Sequence, residues 1–301
     1  MSKISIRRLT KRYGNVAAVS DVSLDIQPGI VFGLLGPNGS GKTTTFKCML
    51  DLASSSAGDV LFDGAPLEPG MFEKMAYVPE KSVLYEWMTG AEHLQMQRRA
   101  FRAYNAGRAA ELLELFNLDP KKRVRSLSKG MRTALALVMA FAIEPEIFIL
   151  DEPTSGLDPV NQRSVLKLII DASARGATVV FSSHQIGQVE RAAETIAILK
   201  NGKVLLDGSV EDLKTRQKIV EAIFDTDQFA VNGLATDARI GRIDRTGRIL
   251  RLAVSSGSDE IARSLETRGA RTVRTVDLNL EDIFLNAVDP NKQSGEIVEQ
   301  A

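Results

Sequence analysis

Two hydrophobic rhythms run through the first 210 residues. Residues 4–9 and 22–26 alternate apolar and polar positions, the period of strands in a half-exposed sheet. Residues 30–35, Ile-Val-Phe-Gly-Leu-Leu, are almost continuously apolar, as a strand buried on both faces of a parallel sheet requires. Residues 44–52 carry Phe46, Met49 and Leu50 at helical spacing, and residues 59–64 read as strand and turn. Residues 90–116 read as one long helix with Glu92, Arg98, Arg99, Arg102 and Glu111 on exposed faces. It is closed by Asn117-Leu118-Asp119-Pro120. His93, within it, is expected at the surface. A second helix spans about 128–143. Strands at 147–150 and 177–181 flank a helix at 160–175, and 196–199 with 203–207 form a hairpin around Asn201-Gly202.

After Gly208 the texture changes. Strands are expected at 219–224, 239–244 and 248–254, the last two joined at Arg245-Thr246-Gly247. A helix at 258–268 starts on Ser258 as its cap and stops at Gly269. Segments 270–276 and 280–288 complete a small α+β unit. The polar tail, 289–301, is expected to be disordered. The expected organisation is therefore a large domain at 1–210 with a helical portion at about 82–145, an accessory domain at 211–288, and the tail. No internal repeat is visible.

Composition narrows the function classes. The 38 basic and 38 acidic residues balance, so nucleic-acid binding by bulk charge is not expected. The single cysteine, Cys48, excludes a disulfide framework within the chain and suits a reducing compartment. The first residues lack a signal-peptide layout, and the longest uncharged apolar stretch, 133–143, is far short of a membrane span. The chain is expected to be soluble by itself, with a membrane partner still possible.

The chemistry begins at Gly36-Pro37-Asn38-Gly39-Ser40-Gly41-Lys42-Thr43, a G-x-x-x-x-G-K-T phosphate-binding loop. Its glycines let the backbone curl round an anion with N–H groups inward, and the following helix brings its positive end there. Lys42 then reaches the terminal phosphates, and the Thr43 hydroxyl binds Mg²⁺. Thr44, next on the helix, joins the same ATP-binding set. An ordinary Gly-rich turn is the alternative, but the strand before it and the helix after it supply the context the motif demands.

About 110 residues on, Ile147-Phe148-Ile149-Leu150-Asp151-Glu152 is an apolar strand ending in two carboxylates. Open α/β sheets place ligands at such carboxyl ends. Asp151 is positioned to orient Mg²⁺, and Glu152 to act as general base for the water attacking the γ-phosphate. Leu127-Ser128-Lys129-Gly130-Met131 opens the second helix as a capped, anion-compatible start.

Together these motifs resemble the ATP-binding cassette (ABC) family of ATPases over residues 2 to about 210. The resemblance implies a P-loop cassette of α/β class with an antiparallel β-subdomain and an α-helical subdomain, to which the C-terminal α+β unit is added. It implies ATP and Mg²⁺ as ligands. Tyr13 matches the aromatic residue that stacks on adenine, and His184, after Ser182-Ser183, the histidine that contacts the γ-phosphate. Ser128, Lys129 and Gly130 match the signature that closes over ATP held by the other subunit. Ser155-Gly156-Leu157-Asp158 matches the loop linking the two sites, so Asp158 joins that set across the dimer.

Two positions depart from the family pattern. Glu80 follows Tyr77-Val78-Pro79 where Gln is usual. Its carboxylate still suits Mg²⁺ or water but adds negative charge beside ATP. Lys129 replaces the first signature glycine, a cation compatible with phosphate. Both departures resemble the branch of drug, peptide-antibiotic and sodium exporters, as does Leu280-Glu281-Asp282-Ile283-Phe284-Leu285, which equally suits any amphipathic helix.

That branch implies an ATP-hydrolysing subunit that powers a separate transmembrane permease, forms a homodimer or heterodimer, and sits at the cytoplasmic face of the membrane. Residues 81–89 would meet the permease, unless Trp87 and Leu84 pack inward. The rival reading is a soluble ABC ATPase acting on nucleic acid or ribosomes. Only about 85 residues separate loop and signature, with no sustained heptads, and the chain has one cassette, so both forms of that rival fit less well.

Overall fold

Strands without a polar face must be covered on both sides, and the chain meets that demand with a parallel sheet. The computed structural model describes residues 3–216, 218–227, 229, 233–234 and 236–288. They fall in two compact units, Met1–Asp207 and Gly208–Ala301.

The first unit opens with β1 (Ile4–Tyr13) and β2 (Val16–Ile26), each longer than the alternation predicts. They run on because irregularities at Arg8 and Asp21, both at positive φ, absorb the breaks in alternation. Next come β3 (Val31–Leu35), α1 (Lys42–Met49), β4 (Ala57–Phe62) and β5 (Met75–Val78). β5 is short and lies at the edge of its sheet, and no periodicity announces it. The helices α2 (Gly90–Ala100), α3 (Ala106–Leu115) and α4 (Lys129–Ala142) follow, then β6 (Ile147–Asp151), α5 (Pro159–Ala174), β7 (Thr178–Ser183), α6 (Ile186–Ala192), β8 (Thr195–Lys200) and β9 (Lys203–Ser209). β2-β1-β4 form an antiparallel sheet, and β5-β6-β7-β3-β8-β9 a second sheet whose first five strands are parallel. Every residue of β3, β6 and β7 is buried. One core cluster, including Ile4, Ile26, Phe32, Phe46, Ile149 and Leu199, joins the two sheets through α1.

The expected helix at 90–116 is two helices. Phe101 turns extended, and Asn105 caps the second helix by accepting from the Arg108 N–H at 3.0 Å, while its own N–H donates to Ala142 O at 2.7 Å. His93 is not at the surface: it is 1% exposed. Its Nδ1 lies 2.9 Å from Thr89 O, and its Nε2 accepts from the Tyr85 N–H at 3.0 Å. The ring thus fastens the preceding loop to the first turn of α2. Trp87 remains 65% exposed, whereas Leu84 is half-buried.

The second unit contains α7 (Val210–Arg216), β10 (Lys218–Phe224), β11 (Ile240–Thr246), β12 (Ile249–Val254), α8 (Ser258–Thr267), β13 (Ala270–Asp277) and α9 (Leu280–Val288). Its antiparallel sheet runs β11-β12-β10-β13, and α8 seals a core of Val220, Ala222, Phe224, Leu250, Leu252 and Leu265. Ser258 is the first helical residue rather than the cap. Gly257, at φ 66°, takes the cap position without a side-chain hydrogen bond. The expected disordered tail lies outside the described residues. Among them, no helix is long and apolar enough to cross a membrane.

Candidate active site

The parallel strands deliver their polar residues at one edge. β3 leads into the Gly36–Thr43 loop, where Gly41 caps α1 at φ 109°. A Cβ on Gly41 would lie 2.6 Å from Ala18 O, so the close approach and the left-handed backbone both require glycine. Gly36, Ser40 and Lys42 are buried; Pro37, Asn38 and Gly39 are exposed; Gly41, Thr43 and Thr44 lie between. Lys42 Nζ folds back to donate to Gly36 O at 2.7 Å and Pro37 O at 3.3 Å. The loop is thereby curled round its own lysine.

β6 brings its carboxylates to the same place. Thr43 Oγ1 donates to Asp151 Oδ2 at 2.6 Å, and Ser182 Oγ, from β7, donates to Asp151 Oδ1 at 2.6 Å. Ser182 Oγ also accepts from the Glu152 N–H at 2.9 Å, so one hydroxyl orients both acids. Sequence reasoning assigned Ser182 no role. The available signal was a serine ending an otherwise apolar strand. Glu152 is 6% exposed and sits at φ 51°, an uncommon backbone for a glutamate and one that occurs at strained functional turns. Its Oε2 is 2.8 Å from His184 Nδ1. That contact uses Nδ1 and leaves Nε2 for another partner. Its Oε1 is 3.6 Å from Lys42 Nζ and has no hydrogen-bond partner among the described residues. Ser40 Oγ is likewise buried and unpartnered.

Lys42, Thr43, Asp151, Glu152 and His184 therefore converge. Tyr13 does not join their contacts. It is 52% exposed at the end of β1, with Lys11 Nζ 4.9 Å from its ring centroid. Glu80 is also exposed, and with Lys81, Leu127 and Lys129 it lines a cavity of about 420 Å³. Tyr77, three residues before it, has its hydroxyl pushed up to about 12, by burial first and by the Asp151 charge second.

The remaining candidates lie round the turn after Glu152. Ser128 caps α4 by accepting from the Met131 N–H at 3.2 Å. Lys129 Nζ donates to Ser155 Oγ at 3.0 Å. A Cβ on Gly130 would lie 2.3 Å from Gly156 O, so this glycine lets the start of α4 seat against that turn. Asp158 caps α5, with Oδ1 accepting from the Val160 and Asn161 N–H groups at 2.9 and 3.0 Å. The Asn161 backbone bond, ahead of the other hydrogen bonds, holds its carboxyl below the usual range.

Known proteins resemble this chain in sequence and fold. The family model for the ABC transporter matches residues 19–155. The chain is 30% identical over 285 residues to the ABC transporter ATP-binding protein YtrB of Bacillus subtilis, covering 94% of this chain and 97% of that protein. It is 30% identical over 293 residues to the bacitracin transport ATP-binding protein BcrA of Enterococcus faecalis, covering 93% and 94%. A solved ATP-binding subunit of an ABC transporter superposes with a TM-score of 0.64 at 30% identity, over 70% of this chain and 92% of that one. A dimeric bacterial ABC transporter cassette does so with a TM-score of 0.62 at 27% identity, over 68% and 98%. With fold, converging site and end-to-end relatives in agreement, the chain belongs to the ABC transporter family, as an ATP-binding and ATP-hydrolysing subunit of a transporter.

Proposed function

We propose that this subunit powers a separate membrane permease and that the transport is export. The observation that carries the proposal is the match along 94% of the bacitracin transport protein, a span that includes the C-terminal unit. A permease on a separate chain is compatible with the described residues, none of whose helices is long and apolar enough to cross a membrane.

Two copies sandwich two ATP molecules. In each site Lys42 and the Gly36–Thr44 segment bind the phosphates, and Tyr13 stacks on the base. The buried unpartnered Ser40 Oγ and Glu152 Oε1 support a polar ligand here. Glu152 takes the proton of the attacking water as the bond between the γ-phosphorus and its bridging oxygen breaks, giving ADP and phosphate. His184, held by Glu152, presents Nε2 to the γ-phosphate. Ser128, Lys129, Gly130 and Asp158 reach the site of the other copy. The hard oxygens of Thr43 and Asp151 suit Mg²⁺, and Glu80 is assigned as a further oxygen ligand. Thr43 and Asp151 would hold the ion together with oxygens from the nucleotide and water. Mg²⁺ would neutralise phosphate charge.

The permease contact is residues 81–89. Val83 is 77% exposed, and with Leu84, Met75, Phe101 and Met139 it lines an apolar cavity of about 180 Å³. Arg132, on the signature helix, pairs with Glu86 of this loop at 2.9 Å, so a push on the loop reaches Ser128. Domain-wise, 1–210 is the motor and 211–288 an accessory module that supports dimerisation or regulation.

The test is a tagged pull-down from detergent-solubilised host membranes with mass spectrometry of the bound chains. Stoichiometric recovery of a multi-span protein is expected. Recovery of ribosomes, nucleic acid or soluble proteins alone overturns the permease assignment.

A further inference from the structure

Behind the site lies a set of linked polar side chains, Thr154 and Gln188 among them buried, that the reaction itself does not use. Thr154, 2% exposed, follows Glu152 by two residues, and Gln188, 8% exposed, is on α6, which begins two residues after His184. Thr154 Oγ1 donates to Gln188 Oε1 at 2.6 Å. Gln188 Nε2 donates to Gln162 Oε1 at 3.1 Å and to Gln185 Oε1 at 2.8 Å. Gln162, in the first turns of α5, returns Nε2 to Leu157 O at 3.0 Å and Thr154 O at 3.5 Å. The Gln162 N–H also donates to Asp158 O at 2.9 Å.

The circuit has one direction. The carbonyls of Leu157 and Thr154 take the Gln162 amide group, which turns Gln162 Oε1 toward Gln188. The Gln188 amide group is then committed to donate, and its oxygen accepts from Thr154. All members are uncharged. Thr154 and Gln188, buried at its centre, are fully engaged, and removing one of them leaves the polar groups facing it without their partner.

Its position gives it a task. One end grips the turn between Glu152 and Asp158; the other grips the helix that carries on from His184. We infer that Thr154, Gln162 and Gln188 are positioning residues that tie the His184–Glu152 contact to the placement of the Asp158 turn. The inference rests on the roles proposed above for Glu152 and His184. When the second copy engages Asp158, the displacement passes through Gln162 and Gln188 to the histidine, so the base is aligned only in a closed pair.

The test uses the full chain and measures ATP turnover, ATP affinity by a fluorescent analogue, and thermal midpoint. Gln188→Leu should lower turnover at saturating ATP about tenfold or more while ATP affinity stays within about twofold. Gln188→Glu keeps the shape but places a carboxyl against the oxygens of Gln162 and Gln185. When protonated it can donate one of the two bonds that the amide makes; when ionised it can donate neither. Its turnover should therefore fall as pH rises, in a window where the parent profile is flat, and adding Gln162→Arg should restore turnover and flatten the profile. Wild-type turnover in Gln188→Leu, or no rescue by Gln162→Arg, overturns the inference, and the rescue arm still decides if Gln188→Leu fails to fold. Glu152→Gln in the same assay separates the layers. Normal turnover there removes the base assignment and this inference with it. An inactive Glu152→Gln beside normal Gln188 variants removes the inference alone.

Discussion

Glu152 and Glu221 are buried glutamates in the two units of one chain, and they are treated in opposite ways. Glu221, in mid-strand on β10, is 4% exposed. Arg251 Nε donates to its Oε2 at 2.6 Å and Arg274 Nε to its Oε1 at 2.7 Å, from the strands on either side. Both oxygens are matched, and these contacts, that with Arg251 first, hold its carboxyl below the usual range. Glu152 is equally hidden, yet among the described residues one of its oxygens has no hydrogen-bond partner; its backbone is at positive φ, and Lys42 Nζ is 3.6 Å from that oxygen. A carboxylate whose capacity is used up holds strands together; one left incompletely satisfied keeps a lone pair for a further partner.

The comparison breaks most sharply on activity. Glu152→Gln should retain ATP binding and lose about 10²- to 10⁴-fold in steady-state hydrolysis, the range for removing a general base. Glu221→Gln should hydrolyse ATP at the parental rate in the same assay. Equal losses in the two variants would erase the distinction. Stability should show the reverse order at smaller size. Glu221→Gln gives up charge-assisted bonds to two arginines whose outer portions reach solvent, a cost of about 1–2 kcal/mol in urea unfolding of the C-terminal unit. The smallest effect is in acid. The folded carboxyl of Glu221 lies below its unfolded value, so its contribution is fully present above the ordinary glutamate range, near about pH 4.3, and fades as pH falls through the folded pKa. Thermal midpoints of the parent should therefore converge on those of Glu221→Gln as pH is lowered, whereas a constant gap would mean that its charge does not matter.

Legibility followed the range of the interaction. The phosphate loop was readable because its strand, glycines and helix are neighbours in sequence. The hairpin round Asn201-Gly202 was readable because both residues take positive φ, as the dipeptide suggests. The break between α2 and α3 was not, because helical spacing continues through it and the decisive bond, Asn105 N–H to Ala142 O, spans 37 residues. His93 was misassigned to the surface for the same reason: its burial depends on how residues 85–89 fold over it. Nothing in the composition of β10 distinguishes Glu221 from a solvated strand glutamate until β12 and β13 bring their arginines alongside.

The amino-acid order alone determined which chemical groups the chain possesses and the short-range frames that carry them: a glycine loop before a lysine and a threonine, an apolar strand before two acids, a serine before a helix. Those frames follow from backbone sterics and local hydrogen bonding, which act over a few residues. Tertiary structure decided which groups meet. It put Ser182 between Asp151 and Glu152, closed the Thr154–Gln188–Gln162 circuit, satisfied Glu221 and left Glu152 Oε1 without a hydrogen bond among the described residues, because side-chain pairing across the sheet and between packed helices is set by register and packing rather than by sequence distance.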